Sequence, residues 1–309
     1  MHRCVERCLF WLKAGRFEFL TGSFAPVLVG GVVAWWETGL FSWGLWLLTL
    51  AGLMFLHTGA NLANDYFDHL TGDDPINRSF LRPFTGGSRV IQQGLASPYS
   101  VLVVALLCLA AGSAIGLLLV YLCGWPILVL GALGVFTGFF YTAPPLAFVY
   151  RGLGELMIAL DFGLLPVLGA YYVQVRHFSW TAVIASLPVA LLITAILFIN
   201  QFPDYAADRA ARKRHWVVRL GPRRSAPVFA AGMTLAYLIL LAAVAFEILP
   251  PLSLLAMLSL PLAARALNIT QRHHSRPLKL RPANAATVAT HLVFSVLLSA
   301  GLILDRLVA

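Results

Sequence analysis

Asn61, Asn64, Asp65 and Asp68 recur at i, i+3, i+4 and i+7, which lays four Asn or Asp side chains along one stripe of an α-helix. Asp73 and Asp74 follow shortly after. A second stripe, Asn200, Asp204 and Asp208, keeps i, i+4, i+8 spacing, and together the two clusters hold six of the chain's eight Asp. So many hard oxygen donors suit Mg²⁺, which takes carboxylates, waters and phosphate oxygens in octahedral geometry. Without a cation the carboxylates would repel one another, and several would stay protonated. Basic residues follow each cluster: Arg78, Arg82 and Arg89 after the first, Arg209, Arg212, Lys213 and Arg214 after the second. Guanidinium forks grip phosphate oxygens bidentately and a lysine adds a point charge, so the indicated chemistry is a divalent metal holding a diphosphate. Arg82, Arg89 and Lys213 are assigned to phosphate, while Arg214, Arg219, Arg223 and Arg224 fit membrane-surface anchors. Helix-end salt bridges would explain one Asp–Arg pair, but not six carboxylates flanked by Asn.

The elements that must position these groups are membrane helices. The 309 residues are 60% hydrophobic and 11% charged, with mean hydropathy +0.82, against roughly 25% charged residues in soluble domains. Nine apolar runs of spanning length are expected, near 20–36, 45–66, 99–122, 125–141, 153–173, 181–202, 226–247, 250–269 and 286–304. Of 22 Lys and Arg, 20 fall on one side of these runs, leaving Arg176 and Arg306 on the other. The positive-inside rule then makes the N-terminus cytoplasmic and sets both acidic clusters at the cytoplasmic face. The net charge of +9 fits this topology and anionic lipid, and no nucleic-acid partner is expected. The expected architecture is a single all-α integral membrane domain over 1–309. Residues 1–19 are read as an interfacial helix that sets Phe10, Trp11, Leu12 and Phe17 against cationic residues. No cleavable signal peptide is expected, and a bacterial inner membrane is the simplest location. Cys4, Cys8, Cys108 and Cys123 show no metal-site pattern.

Several further residues interrupt the apolar pattern. Pro203 lies inside the second stripe and should free the carbonyl of Ile199, kinking or ending the helix. Gly72, Gly86, Gly87 and Gly94 should keep the first connection from being plain helix. Asp161 and His57 fall inside spans, where an ionisable group is a functional candidate by default. Asp161 is a candidate to pair with a base or deprotonate an acceptor hydroxyl, and Glu155 to hold a basic residue or orient the acceptor.

With these residues the chain resembles the UbiA superfamily of intramembrane aromatic prenyltransferases. The likeness rests on Asn64-Asp65-Tyr-Phe-Asp68 with a later Asp, and on Asn200-(x)3-Asp204-(x)3-Asp208 followed by Arg212-Lys213. Tyr141-Thr-Ala-Pro-Pro145 ahead of Gly152-Leu-Gly154-Glu155 is a third matching piece. The first cluster is most similar to the dihydroxynaphthoate, or menaquinone, branch. The resemblance implies a nine-helix bundle around a central cavity in which Mg²⁺, with Mn²⁺ as an alternative, binds an isoprenyl diphosphate. An aromatic acceptor would capture the allylic group, as in quinone biosynthesis. It assigns Asn64, Asp65, Asp68, Asp74, Asn200, Asp204 and Asp208 to the metal, with Asp65, Asp68, Asp204 and Asp208 catalytic. Asn61, Arg82, Arg89, Tyr141, Glu155, Asp161, Arg212 and Lys213 fall to the substrates. Arg212 stands where the family usually has Gly before its Lys, and His215-Trp216 replaces Thr-Leu. The alternatives are the same diphosphate chemistry on a chlorin, a haem or a sugar phosphate, and a cation-coupled transporter.

Overall fold

Small residues let the first helix sink into the middle of the protein. In a computed structural model of the chain, residues 10, 11, 14–16 and 19–308 are described. Helix α1 (Thr21–Thr38) is buried almost continuously from Gly22 to Ala34, as expected of a helix apolar on every side. A Cβ at Gly30 would stand 2.2 Å from the carbonyl oxygen of Val167. Only glycine permits that approach. The left-handed Gly39, at φ +74°, then ends the helix.

The other helices pack around α1. They are α2 (Trp43–Leu70), the single turn α3 (Asp73–Ile76), α4 (Pro98–Cys123), α5 (Pro126–Phe139) and α6 (Gly154–Val175). After these come α7 (Trp180–Ala210), the short α8 (Trp216–Leu220), α9 (Pro222–Ala245), α10 (Pro251–His273) and α11 (Arg281–Val308). Ser42, Ser97 and Ser179 cap α2, α4 and α7, each accepting a backbone N–H of the first turn. Helix α1 touches α2, α6, α7 and α11, while α2 packs along α4 and α7 along α9. The first and last helices are also pinned together. The Trp36 indole donates to Asp305 Oδ2 at 3.0 Å, and Arg306 Nη1 donates to the Trp36 carbonyl at 2.8 Å.

Among the described residues there is no strand, and seven helices are long and apolar enough to cross a membrane: α2, α4, α6, α7, α9, α10 and α11. Of the nine expected runs, the remaining two are α1, with 18 residues, and α5, with 14. Helix α5 is shorter than its run because the chain turns out of helix at Phe140, ahead of Pro144 and Pro145. The expected interfacial helix falls largely outside the described residues, as do Cys4 and Cys8. Its described part, Phe10, Trp11 and Ala14, packs against Leu62, Val90 and Val101.

Two local expectations have different outcomes. Pro203 does not end its helix, since α7 continues to Ala210 and carries Asn200, Asp204 and Asp208 on one rod. The missing N–H of one proline removes a single ladder bond. The connection from Thr71 to Ser97 is non-helical apart from α3, and Gly72, Gly86, Gly87 and Gly94 all take positive φ. Helix α6 contains a π-turn over Leu160–Leu164, which includes Asp161; such turns often accompany functional sites.

Candidate active site

The two Asp stripes meet at the C-terminal ends of α2 and α7, and one ammonium group joins them. Lys213 Nζ lies 3.0 Å from Asp68 Oδ2, 2.5 Å from Asp73 Oδ2 and 3.4 Å from Asp208 Oδ1. Lys213 is only 7% exposed. Burial alone would strip its proton, but Asp68, Asp208 and Asp73 outweigh that penalty and hold its pKa well above the ordinary lysine value.

The turn after α7 explains why Lys213 faces inward. Its amide donates to the carbonyl of Asp208 at 2.9 Å, and the Arg212 amide bonds Arg209 at 3.2 Å, while Arg212 takes φ +63°. This is a left-handed helix stop, the position glycine favours. Arg212 therefore points to the exterior while its neighbour enters the site. On the far side of the turn, Val218 N–H donates to His215 Nδ1 at 3.3 Å. The proton of the ring is thereby left on Nε2, which donates to Asp208 Oδ2 at 2.9 Å. Burial lowers the His215 pKa to about 4, overcoming the pull of Glu155, so the ring is neutral.

Each remaining carboxylate has its own partners. Asp65, 2% exposed, accepts from Arg16 Nη2 at 2.5 Å and from the Ser88 amide at 3.1 Å. Asp68 accepts from Asn64 Nδ2 at 2.8 Å, and Asp204 from Asn77 Nδ2 at 2.8 Å. Asp74 accepts from Gln92 Nε2 at 3.2 Å, and its backbone carbonyl accepts from Arg89 Nη1 at 2.5 Å. Burial, with the charges of Asp68 and Asp65, pushes the Asp74 carboxyl up to about 8. Asn200 Oδ1 accepts from Asn284 of α11 at 2.7 Å, and Asn61 Nδ2 donates to the Gly15 carbonyl at 3.2 Å.

One cavity gathers most of the residues expected from the sequence. It has a volume of about 190 Å³ and is lined by Asn61, Asn64, Asp68, Asp74, Tyr141, Asp161, Asn200, Asp204, Asp208 and Lys213. Asp161 Oδ1 accepts from Thr137 Oγ1 at 2.6 Å. Asp65, Glu155, Arg82, Arg89 and Arg212 do not line the cavity. Glu155 Oε1 accepts from Gln201 Nε2 at 3.1 Å and from the Trp216 amide at 2.9 Å, which ties α6 to α7 and to the start of α8. Arg82 is exposed and turns back onto the carbonyls of Gly87 and Ser88. Sequence reasoning counted Arg16 only among the charges that set orientation and gave no role to Asn77, Gln92 or Thr137. Their partners are distant in sequence or lie across an irregular loop, so no periodic pattern marks them.

The donor set fits a divalent cation with a phosphate ligand. Asp68 Oδ1 and Asp73 Oδ1 are buried and have no hydrogen-bond partner, leaving two carboxylate oxygens ready to accept a cation. A Cβ at Gly87 would stand 2.9 Å from Asp74 Oδ2 and 3.0 Å from Asp65 Oδ1, so the bare backbone leaves room beside these carboxylates. Among the described residues no three carboxylates already converge as a closed metal site. An ion that takes part of its coordination from substrate phosphates and water needs no such closed cage.

A sequence profile of the UbiA prenyltransferase family matches residues 23–299. The chain belongs to that family. It is an integral membrane prenyltransferase, which replaces the transporter alternative. It is 30% identical over 307 residues to the 1,4-dihydroxy-2-naphthoate octaprenyltransferase of Escherichia coli, covering 98% of this chain and 97% of the relative. It is 29% identical to the 2-carboxy-1,4-naphthoquinone phytyltransferase of Synechocystis sp., covering 94% and 92%. Among solved structures, a UbiA homolog from Aeropyrum pernix superposes with TM-score 0.66 at 18% identity, over 93% of this chain and 98% of that one. A UbiA homolog from Archaeoglobus fulgidus bound to GPP and Mg²⁺ gives 0.61 at 15% identity, over 94% and 99%. At that identity the likeness concerns the fold.

Proposed function

We propose that this prenyltransferase joins the isoprenyl group of a prenyl diphosphate to 1,4-dihydroxy-2-naphthoate, or a closely related aromatic ring, as in menaquinone biosynthesis. The observation that carries the reading is the meeting of Asp68, Asp73 and Asp208 on one buried ammonium. Asn64, Asp68, Asp73, Asp74, Asn200, Asp204 and Asp208, which line the cavity, would hold Mg²⁺, or Mn²⁺ in its place, while Asp65 would act by positioning Arg16 at the cavity wall. When bound, the metal supplies positive charge that stabilises the diphosphate as the allylic C–O bond breaks. Lys213, already charged and held among carboxylates, shares its hydrogen bonds with the departing phosphate oxygens. Arg89 holds the backbone carbonyl of Asp74, Asp65 holds Arg16 at the cavity wall, and His215 fixes the rotamer of Asp208. Glu155 holds the α7–α8 turn in register through Trp216 and Gln201. Tyr141 and Asp161 lie on the cavity wall where the ring and the allylic carbon would meet. The electron-rich ring captures that carbon as diphosphate departs, and the attacked ring carbon then loses its proton, or its carboxylate as CO₂, to restore aromaticity.

The same reading puts nine helices in the membrane as a single domain, with α1 and α5 completing the seven longer spans. The N-terminus would be cytoplasmic and the site near the cytoplasmic face of a bacterial inner membrane. The test is turnover by protein purified in detergent, with dihydroxynaphthoate, geranylgeranyl diphosphate and Mg²⁺ supplied together and each left out in turn. Product measured by mass spectrometry should require all three, and both Asp65→Ala and Asp204→Ala should abolish it without reducing membrane insertion. Full activity in both variants would overturn the assigned roles.

A further inference from the structure

We infer that Gly116 and Gly131 set the length of isoprenyl tail that the enzyme accepts, because they wall an apolar corridor leading away from the Asp-rich cavity. The inference rests on the prenyl-transfer reading above and specifies its donor. Ala60, Gly138, Asp161 and Phe162 line both the Asp-rich cavity and a smaller pocket beside it. Leu53, Leu56, Gly134 and Asp161 line both that pocket and a third, partly open space bordered by α2, α4, α5 and α6. The three spaces therefore adjoin, and Asp161 lines all three. From Gly138 to Ile127 the corridor follows eleven residues of α5 and its end, roughly 16 Å of helix rise.

Its chemistry suits a hydrocarbon. In the third space the lining includes Leu119, Ile127, Leu130 and Leu165, and its other polar side chain besides Asp161 is Thr49. The Thr49 hydroxyl donates to the Leu45 carbonyl of its own helix at 2.8 Å, so it offers the space no free donor. A polar ligand would lose its water here and gain nothing in return. Glycine has two different roles in these walls. At Gly112 a Cβ would press to 2.9 Å from the Gly52 carbonyl, so that glycine serves helix packing. At Gly116 and Gly131 a Cβ would meet nothing within 4 Å. These two leave width rather than closeness. A tail whose diphosphate is held by a cation and Lys213 beside Asp68 and Asp208 would have this apolar space next to its cavity.

The test compares geranyl diphosphate with geranylgeranyl diphosphate in wild type, Gly131→Leu, Gly116→Leu and, as a control on α9, Gly232→Leu. Gly232 also has open space around its Cβ position but lies away from the corridor. Either corridor variant should lower kcat/KM for the longer donor by at least about tenfold, since several buried methylenes are displaced. The shorter donor should stay within about threefold, and the control should treat both as wild type does. As a milder probe, Gly131→Cys should react more slowly with an apolar maleimide when the longer donor is bound, read by mass spectrometry on the peptide that carries the substitution. Equal loss on both donors, no loss on the longer one, or labelling indifferent to the donor would overturn the inference, the last assigning the space to a lipid chain. If the wild type turns over neither donor, the prenyl-transfer reading fails and this inference with it. If it turns over both but the variants do not discriminate, this inference alone fails.

Discussion

Lys213 is the only cation that touches carboxylates of both stripes among the described ion pairs, so removing its charge tests the centre of the argument. Lys213→Met keeps much of the side-chain volume and deletes the ammonium. Asp68, Asp73 and Asp208, each with a side chain only 7–8% exposed, would then face one another without a counter-charge. Removing one partner of a buried ion pair typically destabilises by about 3–5 kcal/mol. The lower end applies, because one carboxyl relieves the repulsion by taking up a proton. About 3 kcal/mol lowers the unfolding midpoint by roughly 5 °C in a protein of this size. Mg²⁺ should reverse the loss, because the variant gains a counter-charge that the wild type already possesses. Thermal unfolding in detergent, with and without Mg²⁺, should thus show a larger metal-induced rise in the variant than in the wild type. Turnover should meanwhile fall by about a hundredfold, the usual effect of losing one donor to a developing anion. An unchanged midpoint without metal, together with equal Mg²⁺ responses in the two proteins, would refute this account of the ammonium.

Other perturbations probe the surrounding parts. Arg212→Gly relieves a left-handed non-glycine residue whose side chain is exposed, and should raise stability by about 1 kcal/mol with kcat unchanged; a lowered midpoint would count against it. Gly87→Ala puts a methyl 2.9–3.0 Å from Asp74 and Asp65 oxygens at φ +70°, and should weaken Mg²⁺ and diphosphate binding about tenfold or more in calorimetry. Asp74, pushed up to about 8 in the metal-free protein, is protonated at pH 7 and must lose that proton to bind a cation. Mg²⁺ affinity should therefore rise from pH 6.5 to 8.5 and level off above. Calorimetry in buffers of different ionisation enthalpy should detect the released proton at pH 7, and a buffer-independent heat would contradict the assignment. Glu155→Ala should unfasten the Trp216 amide from the turn and lower kcat with a smaller effect on insertion, which membrane fractionation would check.

The stripes were legible because helical periodicity is local: residues four apart on α2 or α7 share a face whatever the rest of the chain does. That Asp68 and Asp208 would meet was a guess from residue type, and Lys213 settles it through contacts 145 and 5 residues away in sequence. Proximity along the chain misdirects elsewhere. Arg212 is next to Lys213, yet the left-handed turn sends the two side chains in opposite directions. Arg82 follows the first stripe closely but is spent on the carbonyls of its own loop. Arg16 reaches Asp65 across 49 residues, a pairing that no window of sequence displays. The Gly87 cradle was visible only as a glycine-rich stretch, since what the glycines make room for depends on where α3 lies. Helix α1 explains why membrane helices are easier to count than to arrange. Its composition signals an apolar rod, but only its contacts set it at the centre.

The clasp between Trp36 and the Asp305–Arg306 pair carries a lesson about biogenesis. It joins positions some 270 residues apart, so the innermost rod is translated long before the helix that clasps it. Until α11 arrives, Asn200 also lacks the Asn284 amide that holds it. A nascent chain paused inside α10 would carry every acidic ligand and still present an unfinished pocket. Competence is thereby postponed until α11 is made, and a ribosome-bound intermediate that lacks it should grip no diphosphate.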